Sequence, residues 1–170
     1  KPYPQFRAEI DGLPIHFLHG KRWRADAKPL IMTHGWPGSV LEFVDVINPL
    51  TEPEDPAQPA FHLILPSLPG YAFSGKPSAS GWSVEKTAGA WDQLMRTLGY
   101  DRYFAQGGDW GAAVTMAIGM QDKGACAGIH LNMPTARPPA EMLAAPTAYE
   151  AESLARLDWY RAKDNGYAII

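Results

Sequence analysis

The most chemically informative part of the chain is the segment at residues 107–112, in which Asp109 stands between Gly107 and Gly111. Small residues two before and two after a central reactive residue are typical of a nucleophile elbow, a strained turn between a strand and a helix. A carboxylate at the centre attacks carbon directly and forms an ester, without first losing a proton to a base. The segment therefore predicts displacement at sp³ carbon. The alternative is that Asp109 only caps the following helix, since Asp is a favoured N-cap residue.

A second informative segment follows a predicted buried strand and reads His34-Gly35-Trp36-Pro37-Gly38-Ser39. The backbone N–H groups of Trp36 and Trp110 are predicted to form an oxyanion hole beside Asp109, for the anion that forms when water attacks an ester carbonyl. Because the turn must aim the Trp36 N–H into the site, we predict a cis peptide bond between Trp36 and Pro37. The residues expected to shape this loop and the elbow are His34, Gly35, Pro37, Gly107, Gly108 and Gly111.

These segments need strands and helices that hold their ends together. Strand-like runs at residues 6–10 and 13–18, joined by Asp11-Gly12, predict a hairpin because that pair tolerates the positive φ of tight turns. Short apolar runs predict buried strands at residues 29–33, 61–65, 103–106 and 125–131. Capping residues and apolar spacings of three and four predict helices at residues 39–50, 83–98, 110–121 and 147–163.

The alternation of buried strands with helices predicts parallel pairing through right-handed crossovers. The expected fold class is α/β, with a mostly parallel sheet and an N-terminal antiparallel hairpin. Ligands in such folds bind beyond the carboxyl ends of the strands. The pattern breaks from Pro134 onward, where Pro138-Pro139 interrupts the chain.

Composition bounds the class of protein. With 170 residues, 46% of them hydrophobic, the chain can bury one sizeable core. A net charge of −3, from 15 basic and 18 acidic residues mixed along the sequence, argues against a nucleic-acid partner. Cys126 is interpreted as a small buried hydrophobe. The sequence has no bilayer-length apolar run and no apolar signal-peptide core at its start, so the expected location is the cytoplasm, with no cofactor and no metal site.

The five histidines are all interpreted as structural. His34 stands at a strand end next to a tight turn, where it is expected to brace the loop; a role as general base is the alternative. His16 and His19 fall on the predicted hairpin, and His62 and His130 fall inside apolar strand runs. None of them follows the predicted helix at residues 147–163, where chain order would put the histidine of a catalytic triad.

Several segments together resemble the microsomal-type epoxide hydrolases of the α/β-hydrolase fold superfamily. Besides the two segments around Trp36 and Asp109, the matching residues are Tyr3-Pro4-Gln5-Phe6, Ile10-Asp11-Gly12, His16-Phe17, Pro66-Ser67-Leu68-Pro69-Gly70-Tyr71-Ala72-Phe73-Ser74 and Gly128-Ile129-His130-Leu131-Asn132. The match runs in the same order from Tyr3 to about Tyr167. The resemblance implies that the chain is the N-terminal half of an α/β-hydrolase fold.

The resemblance also implies a reaction, the hydrolysis of an epoxide to a vicinal diol through an alkyl ester on an aspartate. Asp109 takes the place of that nucleophile. Two lid tyrosines protonate the epoxide oxygen in this family, and Tyr167, which follows Asn165-Gly166, fits the first of them. The alternative for Tyr167 is a ring that packs on the end of a helix. Trp36, Trp110 and Tyr167 are also expected to line an apolar substrate pocket.

The sequence departs from the family at three functional places, because it offers no second lid tyrosine, no triad histidine and no acidic partner for one. Residues 1–133 are therefore expected to form part of the hydrolase core and residues 134–170 the start of a helical lid, in an incomplete fold. The implied partners are a small hydrophobic epoxide and water, with no nucleic acid and no membrane. Two associations stay open, a homodimer or a complex with the missing C-terminal half.

Two other functions remain open at the level of sequence. Haloalkane dehalogenases resemble the chain in fold and in an Asp followed by Trp, but they tend to place Asn or Glu where Trp36 stands. A halide ion needs converging N–H donors, whereas an epoxide oxygen needs a proton donor such as Tyr167. The second alternative is a catalytically incomplete fragment that only binds a ligand or a partner chain. The resemblance to epoxide hydrolases implies a role in detoxification or aromatic hydrocarbon catabolism.

Overall fold

The computed structural model describes residues 3–20 and 24–166. The chain divides into two compact units, Lys1–Pro134 and Thr135–Ile170. The first begins with the predicted hairpin, in which β1 (Gln5–Ile10) pairs antiparallel with β2 (Leu13–Gly20). Asp11 and Gly12 form the turn with φ of 50° and 74°, the positive values that a tight two-residue hairpin requires. The hairpin prediction is confirmed.

The other strands are β3 (Lys28–Thr33), β4 (Phe61–Pro66), β5 (Tyr103–Gly107) and β6 (Cys126–Leu131). They lie parallel to one another in a six-stranded sheet of order β1-β2-β4-β3-β5-β6, in which β2 pairs antiparallel with β4. The α/β fold class is therefore confirmed. Because β3 and β5 are adjacent and parallel, the loops after Thr33 and Gly107 leave the sheet side by side.

The helix predicted at residues 39–50 is interrupted. A 3₁₀ turn covers Val40–Phe43, and α1 (Val44–Thr51) follows it. The Ser39 side chain accepts a hydrogen bond from the Leu41 N–H, and the tight turn eclipses Val40 and Phe43 so that both are buried. Packing of these two apolar side chains accounts for the difference from a continuous α-helix.

Two longer helices agree with the prediction. In α2 (Val84–Thr97), the Ser83 side chain accepts from the Lys86 N–H, and Gly99 with φ of 82° ends the helix. Helix α3 (Trp110–Gln121) begins directly after Asp109.

The sheet separates two groups of buried apolar side chains, as the alternation of residues along strands requires. Ile31 and Ile64 face the group that includes Trp91, Leu94 and Met95 of α2. The opposite group consists of Leu18, Leu30, Met32, Val40, Phe43, Ile47, Leu63 and Leu65. Apolar side chains therefore pack on both faces of β3 and β4, and the loop that carries Trp36 begins at the end of β3.

Strand β6 is less buried than its apolar sequence predicts. Ile129 is 43% exposed and His130 is exposed, because β6 pairs on one side only, with β5, within the described sheet. Cys126 is half-buried rather than buried, and burial raises the pKa of its thiol. The expectation of a fully buried strand and a buried cysteine is therefore wrong for this structure.

The second unit contains α4 (Ala140–Ala144) and α5 (Ala148–Lys163). Thr147 caps α5 in a capping box, since its hydroxyl accepts from the Glu150 N–H while its own N–H donates to the Glu150 carboxylate. The predicted helix at residues 147–163 is confirmed. Across residues 3–20 and 24–166, no helix combines the length and apolar character that crossing a bilayer takes.

Candidate active site

Asp109 occupies the sharp turn between β5 and α3. Its φ of 51° and ψ of −127° lie in a region that L-residues rarely adopt, so this turn is strained in the way that the elbow sequence predicts. Its side chain makes no capping hydrogen bond to α3, although Asp109 stands at the N-cap position. The geometry therefore gives no support to a simple helix cap.

Glycine is required on both sides of Asp109 by close backbone approaches. A Cβ built on Gly107 would overlap the carbonyl oxygen of Gly111, and one built on Gly111 would overlap the carbonyl oxygen of Thr33. Gly108 differs, because its Cβ would meet the Asn132 side chain at an ordinary 3.6 Å. The elbow thus packs directly against the end of β3 through positions that admit no side chain.

The Asp109 carboxylate is bound by the loop that follows β3. The Trp36 backbone N–H donates to Asp109 Oδ1 at 2.7 Å, and a Cβ on Gly35 would overlap the Asp109 side chain. The peptide bond between Trp36 and Pro37 is cis, as predicted. Trp110 is the first residue of α3, where backbone N–H groups have no acceptor within the helix. The two segments singled out in the sequence therefore meet at one carboxylate.

His34 is buried, with 1% of its surface exposed, and backbone groups occupy both of its ring nitrogens. Nδ1 donates to the Gly35 carbonyl oxygen at 2.9 Å, and Nε2 accepts from the Leu68 N–H at 3.0 Å. Burial lowers the pKa of His34, outweighing the opposite effects of the Gly35 carbonyl and the Glu42 charge. This geometry supports the interpretation of His34 as a brace, since neither nitrogen is available to take a proton.

Other residues support the elbow without having been predicted as site residues. Gln106 Nε2 donates to Asn132 Oδ1 at 3.1 Å, which ties the end of β5 to the residue after β6. The Trp91 indole donates to Thr33 Oγ1 at 3.0 Å, beneath the turn that carries Trp36. In the sequence, only position could have pointed to Thr33, Gln106 and Asn132. They stand at the ends of adjacent predicted strands, and the ends of such strands meet at one edge of the sheet.

The structure brings His34, Gly35, Trp36 and Pro37 together with Gly107, Gly108, Asp109, Trp110 and Gly111. Trp36, whose backbone N–H contacts the carboxylate, is 48% exposed, and Trp110, which follows Asp109 in the chain, is 55% exposed. Tyr167 lies outside the described residues, and its role stays a prediction.

Comparison with known proteins identifies the family of the chain. Residues 1–43 match the family model described as epoxide hydrolase N terminus, and residues 28–165 match the one described as alpha/beta hydrolase fold. The chain belongs to the alpha/beta hydrolase fold family. The resemblance to epoxide hydrolases that the motifs predicted is confirmed.

The chain is similar to a putative epoxide hydrolase of Stigmatella aurantiaca, with 44% identity over 99% of this chain and 39% of the relative. It is also similar to epoxide hydrolase 1 of Oryctolagus cuniculus, with 41% identity over 77% of this chain and 30% of the relative. The solved structure of Aspergillus niger epoxide hydrolase superposes with a TM-score of 0.76 at 39% identity, covering 98% of this chain and 44% of that one. The chain thus spans less than half the length of these relatives.

Proposed function

We propose that this chain carries the nucleophile for the hydrolysis of an epoxide to a vicinal diol, a reaction that proceeds through a covalent alkyl ester on Asp109. The observation that carries the proposal is the hydrogen bond from the Trp36 N–H to Asp109 Oδ1, on a carboxylate that a strained turn presents and that caps no helix. The relatives that match the chain are named epoxide hydrolases, which supports the same reaction class.

In the first step, Asp109 Oδ2 attacks an epoxide carbon and the ring C–O bond breaks. Within residues 3–20 and 24–166, Oδ2 accepts no hydrogen bond, so the oxygen opposite the Trp36 N–H is the nucleophilic one. The ring oxygen leaves as an alkoxide, which needs a proton as the bond lengthens. We assign that proton to the phenol of Tyr167, on the family resemblance alone.

In the second step, water attacks the carbonyl carbon of the ester, the bond from that carbon to Oδ2 breaks, and the diol leaves with Oδ2. A proton from the water returns to the Tyr167 phenolate, and Asp109 is again a carboxylate. Negative charge develops on Oδ1, the atom to which the Trp36 N–H already donates at 2.7 Å. A donor that is in place before the charge forms needs no reorganisation when it does. The Trp110 N–H is the second donor in this proposal.

The substrate class proposed is a small hydrophobic epoxide, because Trp36, which contacts Asp109 through its backbone, and Trp110, which follows it in the chain, are both exposed aromatic residues. The reaction needs water and no cofactor. A cytoplasmic role in detoxification or aromatic hydrocarbon catabolism belongs to this proposal, as does association with a second copy or with further hydrolase sequence.

The proposal is tested by trapping the ester on the 170-residue chain. Incubation with styrene oxide should add one epoxide mass per chain, located on the peptide that contains Asp109, without steady diol release, because the sequence offers no triad histidine to activate water. Asp109→Asn should reduce adduct formation by at least about 10³-fold. Asp101→Asn, at an exposed aspartate, is the matched control. An adduct on another residue, or none at all, contradicts the proposal.

A further inference from the structure

A buried hydrogen-bond cluster joins the N-terminal hairpin to the loop after β4. His16 on β2 is 3% exposed, and its Nε2 lies 2.9 Å from Gln5 Oε1 while its Nδ1 lies 2.9 Å from Ser67 Oγ. An amide oxygen only accepts, so Nε2 carries a hydrogen, and in a neutral His16 ring Nδ1 then accepts from the Ser67 hydroxyl. Burial lowers the pKa of His16, which favours this neutral ring, in the Nε2–H tautomer.

Backbone groups fasten the same loop to β2 around His16. The Ser67 N–H donates to the His16 carbonyl at 2.9 Å, and the His16 N–H donates to Ser74 Oγ at 3.0 Å. The Ser74 hydroxyl donates in turn to the Ser67 carbonyl at 2.7 Å. The Phe73 ring packs edge-on against the imidazole, with ring centroids 5.1 Å apart. Residues 67–74 therefore have a fixed position relative to the hairpin.

This loop supplies the hydrogen bond that orients His34. The residue after Ser67 is Leu68, whose N–H donates to His34 Nε2 at 3.0 Å. His34 therefore carries its hydrogen on Nδ1, the tautomer opposite to that of His16, and donates it to the Gly35 carbonyl at 2.9 Å. A protonated His34 would have no acceptor for the Leu68 N–H.

The Gly35 carbonyl and the Trp36 N–H belong to one peptide group. Because that group is planar, a hydrogen bond that holds its oxygen also fixes the direction of its N–H. His34 holds the oxygen, and the N–H donates to Asp109 Oδ1 at 2.7 Å. Accepting a hydrogen bond at the carbonyl also polarises the group, which strengthens the donor at its other end.

We propose that His34 and His16 are positioning residues, which form a two-histidine clamp that aims the Trp36 N–H at the reacting carboxylate. His34 acts on the peptide group itself, and His16 acts through Ser67 and Leu68 by holding the loop that keeps His34 in place. The clamp's geometry is a property of the fold. Its catalytic meaning rests on the proposed function, because only there does Asp109 react.

Burial favours the neutral form of both histidines in the clamp, and the nearby charges act in different directions. Burial lowers the pKa of His16, and the nearby Arg7 charge lowers it further. Burial also lowers the pKa of His34, against which the Glu42 charge acts. Both rings therefore stay uncharged near neutral pH, as their hydrogen bonds require.

The clamp is tested by amide hydrogen exchange and NMR on the ¹⁵N-labelled 170-residue chain. The variant H34N keeps a donor near the Nδ1 position, so it should preserve protection at the Trp36 amide while exchange at the Leu68 amide speeds at least about tenfold. The variant H34Q keeps an acceptor near the Nε2 position, so it should give the reverse pattern. H16A should speed hydrogen exchange at the Leu68 amide. H130Q, at an exposed histidine, should change exchange at neither the Leu68 nor the Trp36 amide.

Unchanged Trp36 exchange in a folded H34Q variant would overturn the clamp. Should a variant fail to fold, the ring ¹⁵N resonances of the unsubstituted chain decide, because the clamp requires hydrogen on Nδ1 of His34 and on Nε2 of His16; any other tautomer overturns it. These readouts need no reaction. An intact clamp without an adduct on Asp109 would refute the proposed function alone, and an adduct formed with an absent clamp would refute only the inference.

Discussion

The elbow at Asp109 and the strand β6 that follows it along the chain are held in opposite ways. The elbow is fixed by backbone contacts to the end of β3, by the Trp36 N–H and by the buried His34. Among the described residues, β6 pairs on one side only; it exposes Ile129 and His130 and borders a cavity of about 690 Å³. Close contacts thus concentrate around the strained turn that carries Asp109, while β6 has open space beside it in the part of the chain that the structure describes.

The largest expected effect on stability comes from replacing a glycine of the elbow with alanine, compared with the same replacement on a helix. A Cβ at position 111 would overlap the Thr33 carbonyl, so Gly111→Ala should lower the free energy of unfolding by at least about 3 kcal/mol. Gly89 on α2 has nothing within 4 Å of a built Cβ, so Gly89→Ala should raise it by about 0.5–1 kcal/mol. Urea unfolding measures both. Equal effects would show that the elbow is not packed as described.

The second effect concerns pH and the buried histidines. The folded-state pKa values of His16 and His34 lie below the ordinary histidine value of about 6.5. As the pH falls below that ordinary value, the unfolded chain therefore binds protons that the folded chain does not bind. The free energy of unfolding should therefore fall between pH 7.5 and 5.5, by up to about 1.4 kcal/mol per pH unit for each histidine.

Urea unfolding at the two pH values tests this, with the exposed His130 as the reference. H34N should reduce the loss of stability towards low pH, whereas H130Q should leave it as in the unsubstituted chain. A stability that is flat across this range would contradict the assignment of two neutral buried rings.

The smallest effect is expected in β6. Ile129 is 43% exposed, so Ile129→Ala should cost less than about 1 kcal/mol of unfolding free energy. Ile31 on β3 is fully buried, and Ile31→Ala should cost about 2–5 kcal/mol. If the two costs were the same, β6 would be as tightly packed as the centre of the sheet, and the contrast with the elbow would fail.

The same contrast explains what the sequence could predict. The Asp11-Gly12 turn and the elbow depend on local backbone chemistry, so residue type and spacing were sufficient to predict them. The burial of β6 depends on which strands lie beside it, and an apolar run such as that around Cys126 carries no information about neighbours.

Non-local partners were likewise beyond the sequence. His16 was correctly placed on the hairpin, but its partner Ser67 lies 51 residues away. The partner of His34 is a backbone N–H, that of Leu68, which any residue except proline would supply. Reading these clamp contacts requires knowing that the loops after β3 and β4 leave the same edge of the sheet.

The bond between the Trp36 N–H and Asp109 Oδ1 makes the two carboxylate oxygens chemically distinct. If the carboxylate kept this orientation through the proposed cycle, Oδ1 would stay with the protein in every turnover. The opposite oxygen would leave in each diol, and an oxygen from solvent would take its place. In ¹⁸O-water the first diol would then carry an unlabelled oxygen from the protein, and later diols would carry a labelled one. The Asp109 carboxylate would never contain more than one ¹⁸O atom. Because of one backbone hydrogen bond, the oxygen that each diol takes from Asp109 would be the one that water supplied in the preceding turnover.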